Sequence, residues 1–499
     1  MKYVSFAALL FAAALVALPH GAFAAARSLS LGSSGSDVVA LQNALIAKGY
    51  LASGKNTGYF GSLTETAIKK FQCDQKIICA SDALAGYGIA GPKTQAALGS
   101  AGGVAAGTQN PGSITGRSLT GPATGAFEIS GWVPDWRLAS ATADVLPRLS
   151  QLKSVMPFAL SVSDDGKLID RTGITNKEPW LSFIAEAKRK GVRVVPTVMW
   201  GDGEAIHRIL SNQTKRIALE DEIAHMVKAQ GWDGIDIDFE AKRHETIDYF
   251  STFLKGLYSR MGNKWVYCAI EARMPLENRY SPGAVIPPDA LDFANDYNEI
   301  NKYCDRVELM AYDQGTIDLR LNAARTAPYA PVADPGWVET VVTLAAQNIS
   351  KNKLIVGVPT YGYEYTVTPL GSGSFRYERL WAFNPNYAIQ LAVQYGVTPV
   401  RTSANELGFT YNHSSAALAV GPSFSNTTQT QQDSAPTTSV IQNAGAQTDT
   451  PVQTFNYVTW SDAKAIADKV EMAHRLGVRG VAVFSMGGAE DQGMWSILK

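Results

Sequence analysis

From residue 127 to 499 the chain repeats one pattern: a short, almost wholly apolar run, then a stretch with apolar residues at helical spacing. The apolar runs fall at 128–133, 154–162, 192–199, 234–240, 265–271, 306–313, 354–360 and 480–486. Such runs, short and without polar alternation, are typical of strands buried on both faces, as in parallel sheets. Helical patterns lie between them at 178–190, 214–230, 245–261 and 462–476. Alternation of the two predicts an α/β fold. Eight units predict a closed (β/α)8 TIM barrel with its helices outside, with a six-stranded open sheet as the alternative. One long interruption separates the seventh run from the eighth. A polar tract within it, around 415–452, is rich in Ser, Thr, Gln and Asn and poor in charge, and disorder is expected there. The flanking segments 377–395 and 409–412 are expected to be ordered.

A chain of 499 residues exceeds one ordinary core, so further domains are expected beside the barrel domain at 126–499. Residues 1–24 read as a signal peptide. Lys2 begins it, Phe6 to Leu18 are apolar, and Ala22-Phe23-Ala24 supplies the small-x-small cleavage pattern. The apolar run is short for a bilayer span, and an uncleaved anchor is the alternative. The expectation is a secreted, extracellular protein, associated with the cell wall and without stable membrane insertion after cleavage. A net charge of −1 offers no basic excess to attract nucleic acid. The partner is then a neutral ligand or a polymer read by aromatic and polar contacts, and a monomer is expected. In an exported chain the four cysteines can form disulfides. Cys73 and Cys79 could close a small loop. Cys268 and Cys304, near two successive strands, could be a pair or two buried thiols. The cysteine spacing and the scattered histidines do not match a zinc site, and neither metal nor cofactor is expected.

Residues 28–98 form a small module with helical spacing in Val38, Val39, Leu41, Leu45 and Ile46 and again in Ala67, Ile68 and Phe71, punctuated by glycines. Three helices are expected, too few to enclose a deep cleft. The stretch 99–125 is rich in Gly, Ser, Thr and Ala and reads as a flexible linker. Within the module, Gly32-Ser33-Ser34-Gly35, Asp37-Val38, Leu41-Gln42, Gly49-Tyr50-Leu51, Tyr59-Phe60-Gly61, Thr64, Phe71-Gln72, Gly91-Pro92 and Thr94 resemble the peptidoglycan-binding-like module of bacterial wall enzymes. That resemblance implies a glycan-binding role, with a folded spacer as the alternative.

The fourth apolar run carries the chemistry. In Asp233-Gly234-Ile235-Asp236-Ile237-Asp238-Phe239-Glu240, strand alternation puts Asp236, Asp238 and Glu240 on one face and Ile235, Ile237 and Phe239 on the other. Neighbouring acids on that face have Cα atoms about 7 Å apart. Three carboxylates lining a barrel interior are costly unless they share protons and hydrogen bonds, which raises the pKa of at least one. A protonated carboxyl at the C-terminal end of a barrel strand is placed to act as a general acid.

Asp233, Asp236, Asp238 and Glu240 match the D-x-x-D-x-D-x-E signature of family 18 glycoside hydrolases, the chitinase family, and the chain from 127 to 499 resembles its bacterial spore-wall and cell-wall branch. The resemblance implies that Glu240 protonates the glycosidic oxygen. Asp238 would orient the substrate's N-acetyl group and stabilise an oxazolinium ion, and Asp236 would pair with Asp238. The family's substrate-assisted route needs no carboxylate nucleophile. Met310-Ala311-Tyr312-Asp313 matches M-x-Y-D, implying that Tyr312 bonds the acetamido group and Asp313 a sugar hydroxyl. Gly357-Val358-Pro359-Thr360-Tyr361-Gly362 resembles G-x-P-x-Y-G and places Tyr361 near the cleft. Trp132 and Trp136, in Gly131-Trp132-Val133-Pro134-Asp135-Trp136, offer aromatic faces to sugars, and Asp233 and Met310 join the expected substrate-binding set. Phe484 stands where the family usually has a Trp that floors the sugar ring. The implied activity is hydrolysis of β-1,4 bonds at N-acetylglucosamine in peptidoglycan or chitin. A lectin-like barrel that binds glycan without cleaving it is the alternative.

Overall fold

A computed structural model of the chain describes residues 29–30, 33, 36–79, 87–99, 122–371, 373–412 and 453–498. The expected signal peptide, most of the linker and the polar tract lie outside the described residues. The chain divides into two compact units, Met1–Ile114 and Thr115–Lys499.

In the larger unit eight strands follow one another as expected: β1 (Glu128–Pro134), β2 (Ser154–Val162), β3 (Thr197–Trp200), β4 (Gly234–Phe239), β5 (Trp265–Glu271), β6 (Arg306–Met310), β7 (Leu354–Pro359) and β8 (Gly480–Phe484). Each pairs in parallel with the next, and β1 pairs with both β2 and β8. The sheet therefore closes into a barrel, which excludes the open-sheet alternative. The run at 192–199 is split: Arg193–Val194 also pairs with β2, and the ladder resumes at Thr197. Pro196 lies in the gap and has no N–H for a ladder bond.

The two faces of β4 separate as the alternation requires. Ile235, Ile237 and Phe239 are buried in the outer core with Ile223, Phe250 and Phe253 from the surrounding helices Gln213–Ala229 and Ile247–Met261. Asp236 and Asp238 face inward. A charged plug fills the N-terminal end of the barrel. Arg306 donates to both carboxylate oxygens of Glu128 at 2.8 and 2.5 Å, and Arg193 lies 3.4 Å from the same carboxylate. Both guanidiniums lie over the Trp265 ring, 3.9 and 4.9 Å from its centroid. With that end filled, the cleft is left to the C-terminal strand ends, where barrel enzymes keep their sites. Cys268 on β5 is disulfide-bonded to Cys304, just ahead of β6.

Between β7 and β8 the chain builds a second, antiparallel sheet. Its five strands run in the order Ser374–Phe383, Gly362–Gly371, Phe455–Trp460, Leu407–Tyr411 and Val400–Arg401. Helix Pro385–Gln394 packs on it through Ala388, Leu391 and Ala392. Tyr363, Tyr365 and Val367 point to one face, in a core with Ala330, Val332, Tyr377 and Tyr457. Glu364 points to the other, where Tyr387 and Asn456 donate to it at 2.9 and 2.8 Å and Tyr411 also bonds it.

The smaller unit has three helices, Ser36–Ala47, Ser62–Asp74 and Pro92–Leu98, around a core that includes Leu29, Val38, Leu41, Phe60, Ile68, Phe71 and Ala90. Two buried glutamines organise it in the same way, 30 positions apart. Gln42 donates to the Tyr59 carbonyl (2.7 Å) and Thr64 Oγ1 (2.9 Å), and accepts from Gly58 N (2.8 Å). Gln72 repeats this with Ile89 (2.8 Å), Thr94 (3.0 Å) and Gly88 (2.8 Å). Each amide satisfies a turn and pins it to the helix that follows. Cys73 and Cys79 form a disulfide.

Candidate active site

At the C-terminal mouth of the barrel the acids of β4 form a graded series. Asp236 is deepest, fully buried, and its Oδ2 accepts from Trp132 Nε1 at 3.0 Å and Thr197 Oγ1 at 2.8 Å. The first donor comes from β1 and the second from β3, whose register sets Thr197 beside Asp236. Burial outweighs these donors and raises the pKa of Asp236. Asp238, one pleat higher and 4% exposed, is pushed well above the usual carboxylate range by burial and then by the charges of Glu240 and Asp236. Glu240 lies just beyond the strand, with its N–H bonded to the Trp200 carbonyl at 2.9 Å. Its carboxyl is within hydrogen-bond reach of Asp238. Burial, reinforced by the nearby Glu271 carboxylate and opposed by Lys242, raises its pKa to about 7. Lys242 is held under the site: it donates to the Phe239 carbonyl and lies 3.5 Å from Glu271, to which Asn295 Nδ2 also donates at 2.5 Å. Among the described residues, no group of three or more His, Cys, Asp and Glu side chains could hold a metal ion.

Aromatic rings line the space around the acids. Phe484 stacks on Tyr312 at 5.5 Å and 20°, with Tyr361 6.2 Å away and Trp136 6.3 Å away. The Tyr312 ring occupies its place because position 357 is glycine: a Cβ there would lie 2.7 Å from Tyr312 Cε1. Burial and the charges of Asp238 and Asp313 raise the Tyr312 pKa well above its usual value, so it stays a phenol and a potential donor. Asp313, in a left-handed conformation at φ 62°, accepts from Tyr361 Oη and, at 2.6 Å, from Tyr363 Oη. Trp136 is 38% exposed and presents a ring to solvent.

The structure thus gathers Asp236, Asp238, Glu240, Tyr312, Asp313, Tyr361, Trp136 and Phe484 around one cleft, with Met310 half-buried at the end of β6. Two expected substrate contacts are placed elsewhere. Trp132, expected as a stacking face, is 2% exposed beneath the site and serves Asp236 through its indole N–H. Asp233 sits at the opposite end of β4, where Oδ2 accepts from Val194 N at 2.8 Å. Sequence reasoning missed Thr197, Lys242, Glu271, Tyr363 and Glu308. Glu308 had a readable signal: one acid at an inward position among the apolar residues Val307, Leu309 and Met310.

Comparison with known proteins accords with this geometry. The model of glycosyl hydrolases family 18 matches residues 131–489, and a peptidoglycan binding domain model matches residues 34–98. The uncharacterized glycosylase YvbX of Bacillus subtilis (strain 168) is 26% identical over 175 residues, which is 35% of this chain and 46% of that protein. The chain therefore matches less than half the length of that relative. The spore cortex-lytic enzyme SleL of Bacillus megaterium QM B1551 superposes with a TM-score of 0.53 at 20% identity, covering 74% of this chain and 73% of that one. A chitinase from Chromobacterium violaceum ATCC 12472 gives 0.53 at 15% identity, over 75% of this chain and 98% of that one. At these identities the structural likeness speaks to fold.

Proposed function

The chain belongs to family 18 of the glycosyl hydrolases, and from that premise we propose that it is a secreted glycosidase cleaving β-1,4 bonds next to N-acetylglucosamine in cell-wall glycan. The observation that carries the proposal is Glu240, a carboxyl raised to about 7 at the mouth of the barrel and so able to hold a proton near neutrality. In this reading Glu240 gives its proton to the glycosidic oxygen as the bond breaks. Asp238, adjacent and deeper, turns its carboxyl to the substrate's acetamido N–H, and the acetamido oxygen attacks the anomeric carbon. Tyr312 donates to the same group from across the cleft. Glu240, now ionised, takes a proton from the water that opens the oxazolinium ion, restoring the starting state with retention. Asp236, one pleat deeper, raises the Asp238 pKa through its charge, and Phe484 and Trp136 supply stacking surface.

The match at residues 34–98 to a peptidoglycan binding domain favours peptidoglycan over chitin, with the module retaining the barrel at the wall. Purified peptidoglycan and chitin oligosaccharides, incubated separately and analysed by mass spectrometry for new reducing ends, test both points. Cleavage of peptidoglycan supports the full reading. Cleavage of chitin alone moves the substrate. New ends from neither would overturn the hydrolase assignment in favour of a glycan-binding barrel.

A further inference from the structure

One carboxyl at the centre of the barrel has no part in the mechanism above. Glu308, on β6, is 0% exposed, and among the described residues no N–H or O–H group reaches either of its oxygens. Its register explains what it meets. Glu308 lies opposite Ala269 on β5 and Ile355 on β7. Ala269 is small, so the Glu308 side chain passes over it to the β4 carboxyl of Asp236, within hydrogen-bond reach. Asp236 Oδ2 is occupied by Trp132 and Thr197, while Oδ1 makes no hydrogen bond of regular geometry, although the Ala269 backbone N–H lies near the carboxyl. Two buried carboxyls facing each other need one proton between them, because a pair of adjacent carboxylates is unaffordable in this setting.

We propose that Glu308 is a positioning residue: a neutral carboxylic acid that donates its proton as a hydrogen bond to Asp236 Oδ1, holding Asp236 as an acceptor-only anion and leaving Asp238 free to turn toward Glu240 and the cleft. This rests on the hydrolase reading for its consequence, but not for the location of the proton. The charged and titratable groups around Glu308 are Asp236 and Asp238 on β4, Arg306 one pleat earlier on β6, and Tyr312 beyond the end of β6. The facing positions on β5 and β7 are uncharged. Arg306 is already committed to Glu128 by two hydrogen bonds. Burial and the Asp236 charge push Glu308 well above the usual carboxylate range, in keeping with a proton that stays put across neutral pH. With that donor in place, Asp236 Oδ1 has no need of the Asp238 proton, and Asp238 is not drawn down into the barrel.

The test compares wild type with Glu308→Gln and Glu308→Leu. Infrared difference spectra at pH 7, wild type minus Glu308→Gln, should show the loss of one protonated-carboxyl contribution while those of Asp238 and Glu240 remain; a flat difference in that region would refute the assignment. On peptidoglycan or chitin oligosaccharides, whichever the wild type cleaves, Glu308→Leu should lower kcat about 10- to 100-fold, the loss of a hydrogen bond to a charged group. KM should stay within about twofold and the limbs of the pH profile should move, because the altered group touches Asp236 rather than substrate. Glu308→Gln, which keeps an N–H donor, should restore most of kcat and the wild-type pH profile. A purely structural role would instead lower the melting temperature of Glu308→Leu and leave kcat and the pH profile unchanged, and that result would overturn the proposal. The infrared arm needs no turnover. A protein that cleaves neither glycan would therefore sink the hydrolase reading while the band still decides where the proton is.

Discussion

Replacing Glu240 with Gln should stabilise the barrel at alkaline pH while abolishing its chemistry. Glu240 is raised from its ordinary 4.5 to about 7 by burial and by Glu271. In the unfolded chain it ionises near 4.5, so between 4.5 and 7 the native state holds a proton that the unfolded state has lost. Stability contributed by this group is complete below about 4.5 and falls as pH rises through 7. At about 1.4 kcal/mol per pH unit, the rise from 4.5 to about 7 amounts to about 3.5 kcal/mol as an upper bound, because Glu240 keeps some solvent exposure that screens it. Gln keeps the shape and stays neutral. The difference in unfolding free energy between Glu240→Gln and wild type, measured by denaturant titration of the barrel transition, should be near zero at pH 4.5 and favour the variant by about 2–3 kcal/mol at pH 8.5. The same substitution should cut hydrolysis about 100- to 10,000-fold. Wild-type kcat/KM should fall on the alkaline side with a midpoint near 7, as Glu240 loses its proton. A stability difference that does not change between pH 4.5 and 8.5 would refute the raised pKa, and with it the physical basis for Glu240 as the acid.

Other substitutions probe the surroundings. Trp132→Phe removes the 3.0 Å donor to buried Asp236 and should cost about 1–3 kcal/mol of stability and lower kcat more than it raises KM, measured by melting and steady-state kinetics. Phe484→Ala removes the ring stacked on Tyr312 and should raise KM about 3- to 10-fold, whereas Phe484→Trp should lower it, read from substrate titrations. Deleting residues 25–125 should reduce retention on wall sacculi in a pull-down but leave cleavage of short soluble oligosaccharides unchanged.

Much of this molecule is legible along the chain, because strand and helix leave different periods in the sequence. Eight apolar runs with helical stretches between them specify the barrel, and the alternation Ile235-Asp236-Ile237-Asp238-Phe239 already assigns acids to one side and apolar residues to the other. The sheet between β7 and β8 was also foreshadowed. Tyr363-Glu364-Tyr365-Thr366-Val367 has the strict alternation of a half-buried antiparallel strand, a pattern distinct from the wholly apolar runs of the barrel.

Tertiary structure decided what each polar side chain meets. Trp132 and Asp236 are 104 positions apart, and nothing local tells an indole that stacks on sugar from one that binds a buried acid. Asp233 and Glu240 belong to one sequence signature, yet a strand separates its two ends, so one holds the Val194 backbone while the other faces the cleft. The pairing of Cys268 with Cys304, the donor from Thr197 and the contact between Glu308 and Asp236 all depend on which strands lie side by side and in what register. Periodicity is a property of one segment and survives in the sequence alone. Cross-strand neighbours are set by barrel closure and register, so they exist only once the chain has folded.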